Sequence, residues 1–88
     1  MTRTVTVLNP TGFHARPARA FVDTATNNYP NTKITVTKGP KVINGKSVLS
    51  MLTLGAKCGD SIMIDAQGAD EELALSRLGD LFETIFQE

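Results

Sequence analysis

Two hydrophobic periods take turns along this chain, and that interleaving limits what it can fold into. At residues 2–9, Arg3, Val5, Val7 and Asn9 fall on one side and Thr4, Thr6 and Leu8 on the other, the period-two pattern of a strand. Asn9-Pro10-Thr11-Gly12 then supplies turn residues. From Ala18 the period changes. Ala18, Phe21, Val22 and Ala25 recur at i, i+3, i+4 and i+7, one apolar face of a helix. Pro17 is expected at the first helical position, where a missing N–H costs nothing, and should bias Arg16 away from helical dihedrals. The stretch Asn27-Asn28-Tyr29-Pro30-Asn31 ends this helix. Residues 32–38 alternate again around Ile34 and Val36 until Gly39-Pro40, and a shorter strand is expected over Lys41–Ile43 before the turn Asn44-Gly45.

Ser47 is placed to cap a short helix that carries Val48, Met51, Leu52 and Leu54 and stops at Gly55. Residues 60–66 alternate around Ile62 and Ile64, with Gly68 as the breaker. Asp70, Glu71 and Glu72 open a last helix, where the macrodipole favours acids. Leu75, Leu78, Leu81, Phe82 and Ile85 define its apolar face, and Gly79 within it costs about 1 kcal/mol relative to Ala. The order β-α-β-β-α-β-α defines an α+β chain with helices stacked on one face of a sheet. Periodicity alone does not order the strands. Residues 1–88 are expected to form a single domain, without repeat or linker. A domain this small has little room for an enclosed site, so its chemistry should sit at the surface.

Charge and cysteine usage narrow the function. Nine Lys+Arg balance nine Asp+Glu, which argues against nucleic acid as the main partner. The single cysteine, Cys58, excludes an internal disulfide and fits a reducing cytosol; it falls in a predicted turn and reads as an incidental thiol. No run approaches the ~18 apolar residues of a membrane span. Met1-Thr2-Arg3-Thr4-Val5 does not resemble a signal peptide. A cytoplasmic protein without direct membrane binding is expected.

The one histidine, His14, stands in Gly12-Phe13-His14-Ala15-Arg16-Pro17-Ala18, just before a predicted helix start. Unpaired amides and a positive partial charge gather at such an end, which suits phosphate. Arg16 adds a guanidinium able to hold phosphate oxygens in a bidentate manner. Gly12 permits a positive φ in the turn, and Ala15 and Pro17 shape the helix start. A neutral imidazole is nucleophilic near neutral pH. The plainer alternative is a surface or capping histidine. A metal site lacks a second histidine, and no nucleophile-elbow motif supports serine hydrolysis. The three acids at residues 70–72 read as helix-start charges, not as a catalytic pair.

Three segments resemble one family. Residues 12–18 are similar to the active-site motif of HPr, the histidine-containing phosphocarrier of the bacterial phosphotransferase system. Residues 44–55, Asn-Gly-Lys-Ser-Val-Leu-Ser-Met-Leu-Thr-Leu-Gly, resemble its second-helix region, and residues 66–72 resemble the start of its last helix. The similarity spans essentially the whole chain in the right order. It implies an open-faced β-sandwich, a four-stranded antiparallel sheet with three helices on one side. It also implies that enzyme I phosphorylates Nδ1 of His14, that Arg16 assists, and that a IIA-type acceptor protein receives the group, with no dissociable cofactor.

Ser47 matches the family's regulatory serine, the target of a serine kinase/phosphorylase in some bacteria, although it is also a good cap without modification. Val48, Leu49 and Leu52 match a partner-docking patch, against which stands burial of some of these side chains. Phe13 is expected as an exposed aromatic anchor. Arg19 is a candidate for acidic partner groups or a solvated arginine. A monomer is expected. The alternatives are a nitrogen-type relay carrier, which Asn-Gly-Lys-Ser-Val, Phe82 and Phe86 somewhat resemble, a non-catalytic adaptor controlled at Ser47, and a small ligand-binding domain without phosphate chemistry.

Overall fold

The alternating segments pair across the chain, not in the order they are written. The computed structural model describes residues 1–83. In it, β1 (Thr2–Thr6), β2 (Thr32–Lys38), β3 (Lys41–Asn44) and β4 (Ser61–Gly68) form one antiparallel sheet in the order β1-β4-β2-β3. The helices are α1 (Ala15–Asn28), α2 (Val48–Thr53) and α3 (Glu71–Phe82). The last-written strand, β4, sits at the centre, between β1 and β2. Its register sets Val5 opposite Ile62, Ile64 opposite Val36 and Ala66 opposite Ile34. All six side chains are buried in the core that the helices complete with Ala18, Phe21, Ala25, Met51, Ala74, Leu75, Leu78 and Phe82. A slip of one residue would turn the whole apolar set to the open face. That face carries Thr4, Lys33, Met63 and Gln67, all exposed, so the molecule is an open-faced sandwich with three helices.

The first strand stops at Thr6 instead of running to residue 9, and two further boundaries differ from the sequence expectation, each for a local reason. β4 continues to Gly68 instead of stopping before it, because Gly68 still pairs with Thr32. Here φ is 129°, and a Cβ would stand 2.6 Å from the Asn31 carbonyl oxygen, so glycine carries the strand through a close crossing. Helix α1 begins at Ala15, which makes Pro17 its third residue and Arg16 helical. A proline inside the first turn forfeits no hydrogen bond, since those N–H groups have no acceptor within the helix, and the pre-proline bias at Arg16 is a preference that tertiary packing overrides. Leu81 is half-buried against the core as its spacing implies, while Ile85 and Phe86 lie outside the described residues.

Gly79 in α3 has its explanation in β1. The Arg3 guanidinium lies across it, with Nη1 donating to the carbonyls of Leu75 (3.1 Å) and Ser76 (2.9 Å). Nη2 donates to Asp80 (3.2 Å) and Glu83 (3.1 Å). A Cβ on Gly79 would collide with Nη1 and stand 2.6 Å from Cζ. The helix therefore gives up intrinsic propensity so that a cation from the edge strand can lie along its C-terminal half, where the dipole favours positive charge. Gly79→Ala should gain about 1 kcal/mol in an Arg3→Ala background, but gain nothing or destabilise the wild-type chain. Urea unfolding of the four proteins of this cycle checks it. Equal gains in both backgrounds would mean that Arg3 is not what the glycine accommodates.

Candidate functional site

The segment from Val7 to His14 is held from both sides before it reaches α1. Val7 N–H donates to the Asp60 carbonyl (3.0 Å), Gly59 N–H donates to the Val7 carbonyl (2.8 Å), and Leu8 N–H reaches the Phe82 carbonyl (3.3 Å). The turn closes with Gly12 N–H on the Asn9 carbonyl (2.9 Å), and Phe13 N–H then donates to the Ala56 carbonyl (2.9 Å). Gly12 has φ of 80°, and a Cβ there would stand 2.8 Å from that same Ala56 oxygen. Only glycine satisfies both the turn and the approach of the residue 55–60 loop.

Phe13 is not an exposed anchor. It is 4% exposed, and its ring stacks on Phe82 with centroids 4.1 Å apart. It also meets Phe21 edge-on at 6.0 Å, and Phe21 meets Phe82 at 5.3 Å. Three rings from the site loop, α1 and α3 thus form one cluster, and burying an aromatic side chain outweighs what it would gain at the surface.

With Phe13 inside, the next residue turns outward. His14 is the N-cap of α1, extended at φ −91° and ψ −159°, half-buried, and without a side-chain capping bond. Its carbonyl accepts from Ala18 N–H at 2.9 Å. Helix geometry leaves the amides of Ala15 and Arg16 facing out of this end, and Pro17 contributes no N–H. No acidic side chain lies in the first turn of α1 to offset the positive end of its dipole. The His14 ring is fixed through Nε2, 3.0 Å from Thr11 Oγ1. Arg16, two residues on, is exposed.

The remaining sequence candidates divide. Gly12, Ala15 and Pro17 shape the loop and the helix start, and Pro17 is buried. Arg19 is exposed and pairs with Asp23 one turn on, at 3.5 Å. Ser47 caps α2, its Oγ accepting from Ser50 N–H at 3.3 Å. In α2, which packs against α1, Met51 is buried and Val48 half-buried, whereas Leu52 is 42% and Leu49 73% exposed. Leu54, just beyond the helix, is buried. Cys58 lies exposed in the 55–60 loop. Among the described residues, no group of three or more His, Cys, Asp or Glu side chains is arranged to hold a metal, and no helix is long and apolar enough to cross a membrane.

Two contributors escaped the sequence reading. Thr11 touches the imidazole, and Asn9 is one of two buried polar residues among those described. The signal for Asn9 was present: it continues the inward series of Val5 and Val7, where an amide is out of place unless bonded. Supporting both is the 55–60 loop, locked by Asp60. Its carboxylate accepts from Lys57 N–H at 2.8 Å and pairs with Lys38 at 3.4 Å. The Lys57 amide, assisted by the Lys38 ammonium, holds the Asp60 carboxyl below the usual carboxylate range.

An open-faced sheet-and-helix sandwich with one histidine at a helix start defines a class of small phosphocarriers, and the comparisons with known proteins agree. The family model described as the phosphorylation site of the HPr component of the phosphotransferase system matches residues 1–84. The phosphocarrier protein HPr of Treponema pallidum is 36% identical over 86 residues, covering 98% of this chain and 96% of the relative. The crystal structure of HPr-C-His from Thermoanaerobacter tengcongensis superposes with a TM-score of 0.85 at 40% identity, covering 94% of this chain and 91% of that one. A structure described as an HPr dimer from the same organism gives 0.74 at 40% identity, covering 96% and 94%. The chain belongs to the HPr family, the phosphocarriers of the phosphotransferase system.

Phe13→Ala should cost about 3 kcal/mol in chemical unfolding, as deletion of a core ring does. A change within about 0.5 kcal/mol would instead fit a surface residue. The lowered Asp60 carboxyl also fixes a pH dependence. Stability linked to Asp60 is fully present above about pH 4, the unfolded value, and is lost as pH falls below it towards the folded value. Urea unfolding between about pH 2.5 and 6 should therefore show a shallower acid decline for Asp60→Asn than for the wild type. Parallel declines would contradict the assignment.

Proposed function

We propose that this chain accepts a phosphoryl group from phospho-enzyme I on Nδ1 of His14 and passes it to IIA-type acceptors in phosphotransferase-dependent sugar uptake and its regulation. The observation that carries this reading is the position of His14: N-cap of α1, ring held through Nε2 by Thr11, beside amides that no acid of the first turn neutralises. Attack requires a neutral ring with its lone pair on Nδ1 and its proton on Nε2, and Thr11 Oγ1 is an acceptor for that proton. A phosphorus–Nδ1 bond forms as the bond from phosphorus to the donor breaks, its electron pair staying with the donor. The added negative charge then meets the helix end and the Arg16 guanidinium, each contributing about 1 kcal/mol at an exposed site. Modest stabilisation suits a carrier, since a tightly held group would not be handed on.

Leu49, with Leu52 and Val48 behind it, supplies the apolar part of the docking surface, and Arg19 lies one turn along α1 from Arg16. Phosphorylation at Ser47 would place negative charge beside Val48 and Leu49 and weaken docking. The carrier works as a single cytoplasmic domain and as a monomer, presenting one site to successive partners.

Incubation with phosphoenolpyruvate and enzyme I, followed by intact-mass measurement, should add one phosphoryl group to the wild type and none to His14→Ala. Arg16→Ala should slow uptake about tenfold, roughly 1.4 kcal/mol of transition-state stabilisation, with an unchanged unfolding midpoint. Acid-labile phosphate retained by His14→Ala would refute the site.

A further inference from the structure

A histidine at a helix end is useful only if its ring is aimed, and the aim traces back to Asn9. This side chain is 1% exposed and continues the inward-facing series of Val5 and Val7. An apolar residue there would extend the core, and an amide costs free energy in such a place unless it is bonded. Asn9 Nδ2 lies 2.8 Å from the Gly12 carbonyl oxygen. A carbonyl only accepts, so this atom is the amide nitrogen and not its oxygen. The same nitrogen lies 3.0 Å from Thr11 Oγ1. One hydrogen of the amide therefore closes the turn and the other enters the hydroxyl oxygen that meets His14 Nε2 at 3.0 Å. The first bond ties the side chain to the turn; the second runs to an exposed residue, Thr11, on the very oxygen that meets the imidazole.

We infer that Asn9 is a positioning residue: acting through Thr11 Oγ1, it fixes the orientation of the His14 ring and thereby weights its tautomer ratio. The chain Asn9–Thr11–His14 joins a buried anchor to a half-buried imidazole through one rotatable hydroxyl. Without the Asn9 donor, Thr11 loses its fixed rotamer and its contact with the ring loses its fixed geometry, while the helix end and Arg16 stay in place. The inference deepens the reading of His14 as phosphoryl acceptor and rests on it for its kinetic consequence, but its structural content concerns the unmodified protein.

The test is a cycle of Asn9→Leu, which keeps the core filled, Thr11→Val, which deletes the hydroxyl at an exposed position, and the double variant, with Thr11→Ser as the conservative control. The imidazole nitrogen shifts of 15N-histidine-labelled protein, measured above the titration of the ring, report the tautomer ratio. In the wild type that ratio should depart from the value of free histidine. Asn9→Leu and Thr11→Val should each return it towards that value, the double variant should go no further than either, and Thr11→Ser should restore it. The rate of phosphoryl uptake from enzyme I should fall about tenfold in each single variant and no more in the double, with KM for enzyme I unchanged. A wild-type ratio equal to that of free histidine, or Asn9 and Thr11 effects that multiply, would overturn the inference. If Asn9→Leu does not fold, Asn9→Ala takes its place in the cycle with the same expected and contradicting results. Failure of the wild type to take up phosphate at all would sink the acceptor reading, and the nitrogen shifts would still decide the Asn9 relay.

Discussion

The Phe13 ring lies stacked on Phe82 and edge-on to Phe21, and that contact settles where the next residue can go. The three rings come from the site loop, the body of α1 and the end of α3, so the cluster joins the parts of the molecule that surround the histidine. Burial of Phe13 fixes the chain at the point where the loop becomes a helix, and the next side chain is directed outward. The Phe13 amide bond to Ala56 and the crowding at Gly12 act at the same place. The precision of an exposed site is thus borrowed from the hydrophobic core, which is the only rigid body a domain of this size owns.

On that footing the polar parts need contribute only small energies. The amides of the helix end, the guanidinium of Arg16 and the hydroxyl of Thr11 are each weak at a solvent-exposed surface. For a relay this is an advantage. A phosphoryl group that must arrive from one protein and leave for another within its working cycle is served by a shallow well, and shallow wells are what helix ends and exposed cations make. Denser polar contacts are kept for structure: four bonds of Arg3 across Gly79, and Asp60 locking the loop beneath Gly12.

Much of this could be read from the residues, and the misreadings have physical causes. The strands at Val5–Val7, Ile34–Val36 and Ile62–Ile64, and the helical face of Ala18, Phe21, Val22 and Ala25, were legible because each buries one side and periodicity reports sides. The HPr-like motif placed His14 correctly at a helix start. The burial of Phe13 is not legible because it belongs to no periodic segment, and its partner Phe82 comes from the far end of the chain. Pro17 suits the first helical position by rule, but the helix starts two residues earlier at Ala15, and a first turn accepts proline at its third residue as well. Strand order was not legible, since alternation says which way a side chain faces and nothing about which strand lies alongside. Asn9 reads as a turn residue beside Pro10, although its place in the inward series marks it as a buried amide in need of partners.

The proposed relay turns on one atom, so the most direct measurement identifies it. Protein carrying 15N in its histidine would be phosphorylated by phosphoenolpyruvate and enzyme I, and the one-bond coupling between phosphorus and nitrogen read by NMR. Coupling to Nδ1 of His14, with Nε2 still bearing its hydrogen towards Thr11, is the predicted result. Phosphorus coupled to Nε2, or attached anywhere other than this ring, would contradict it.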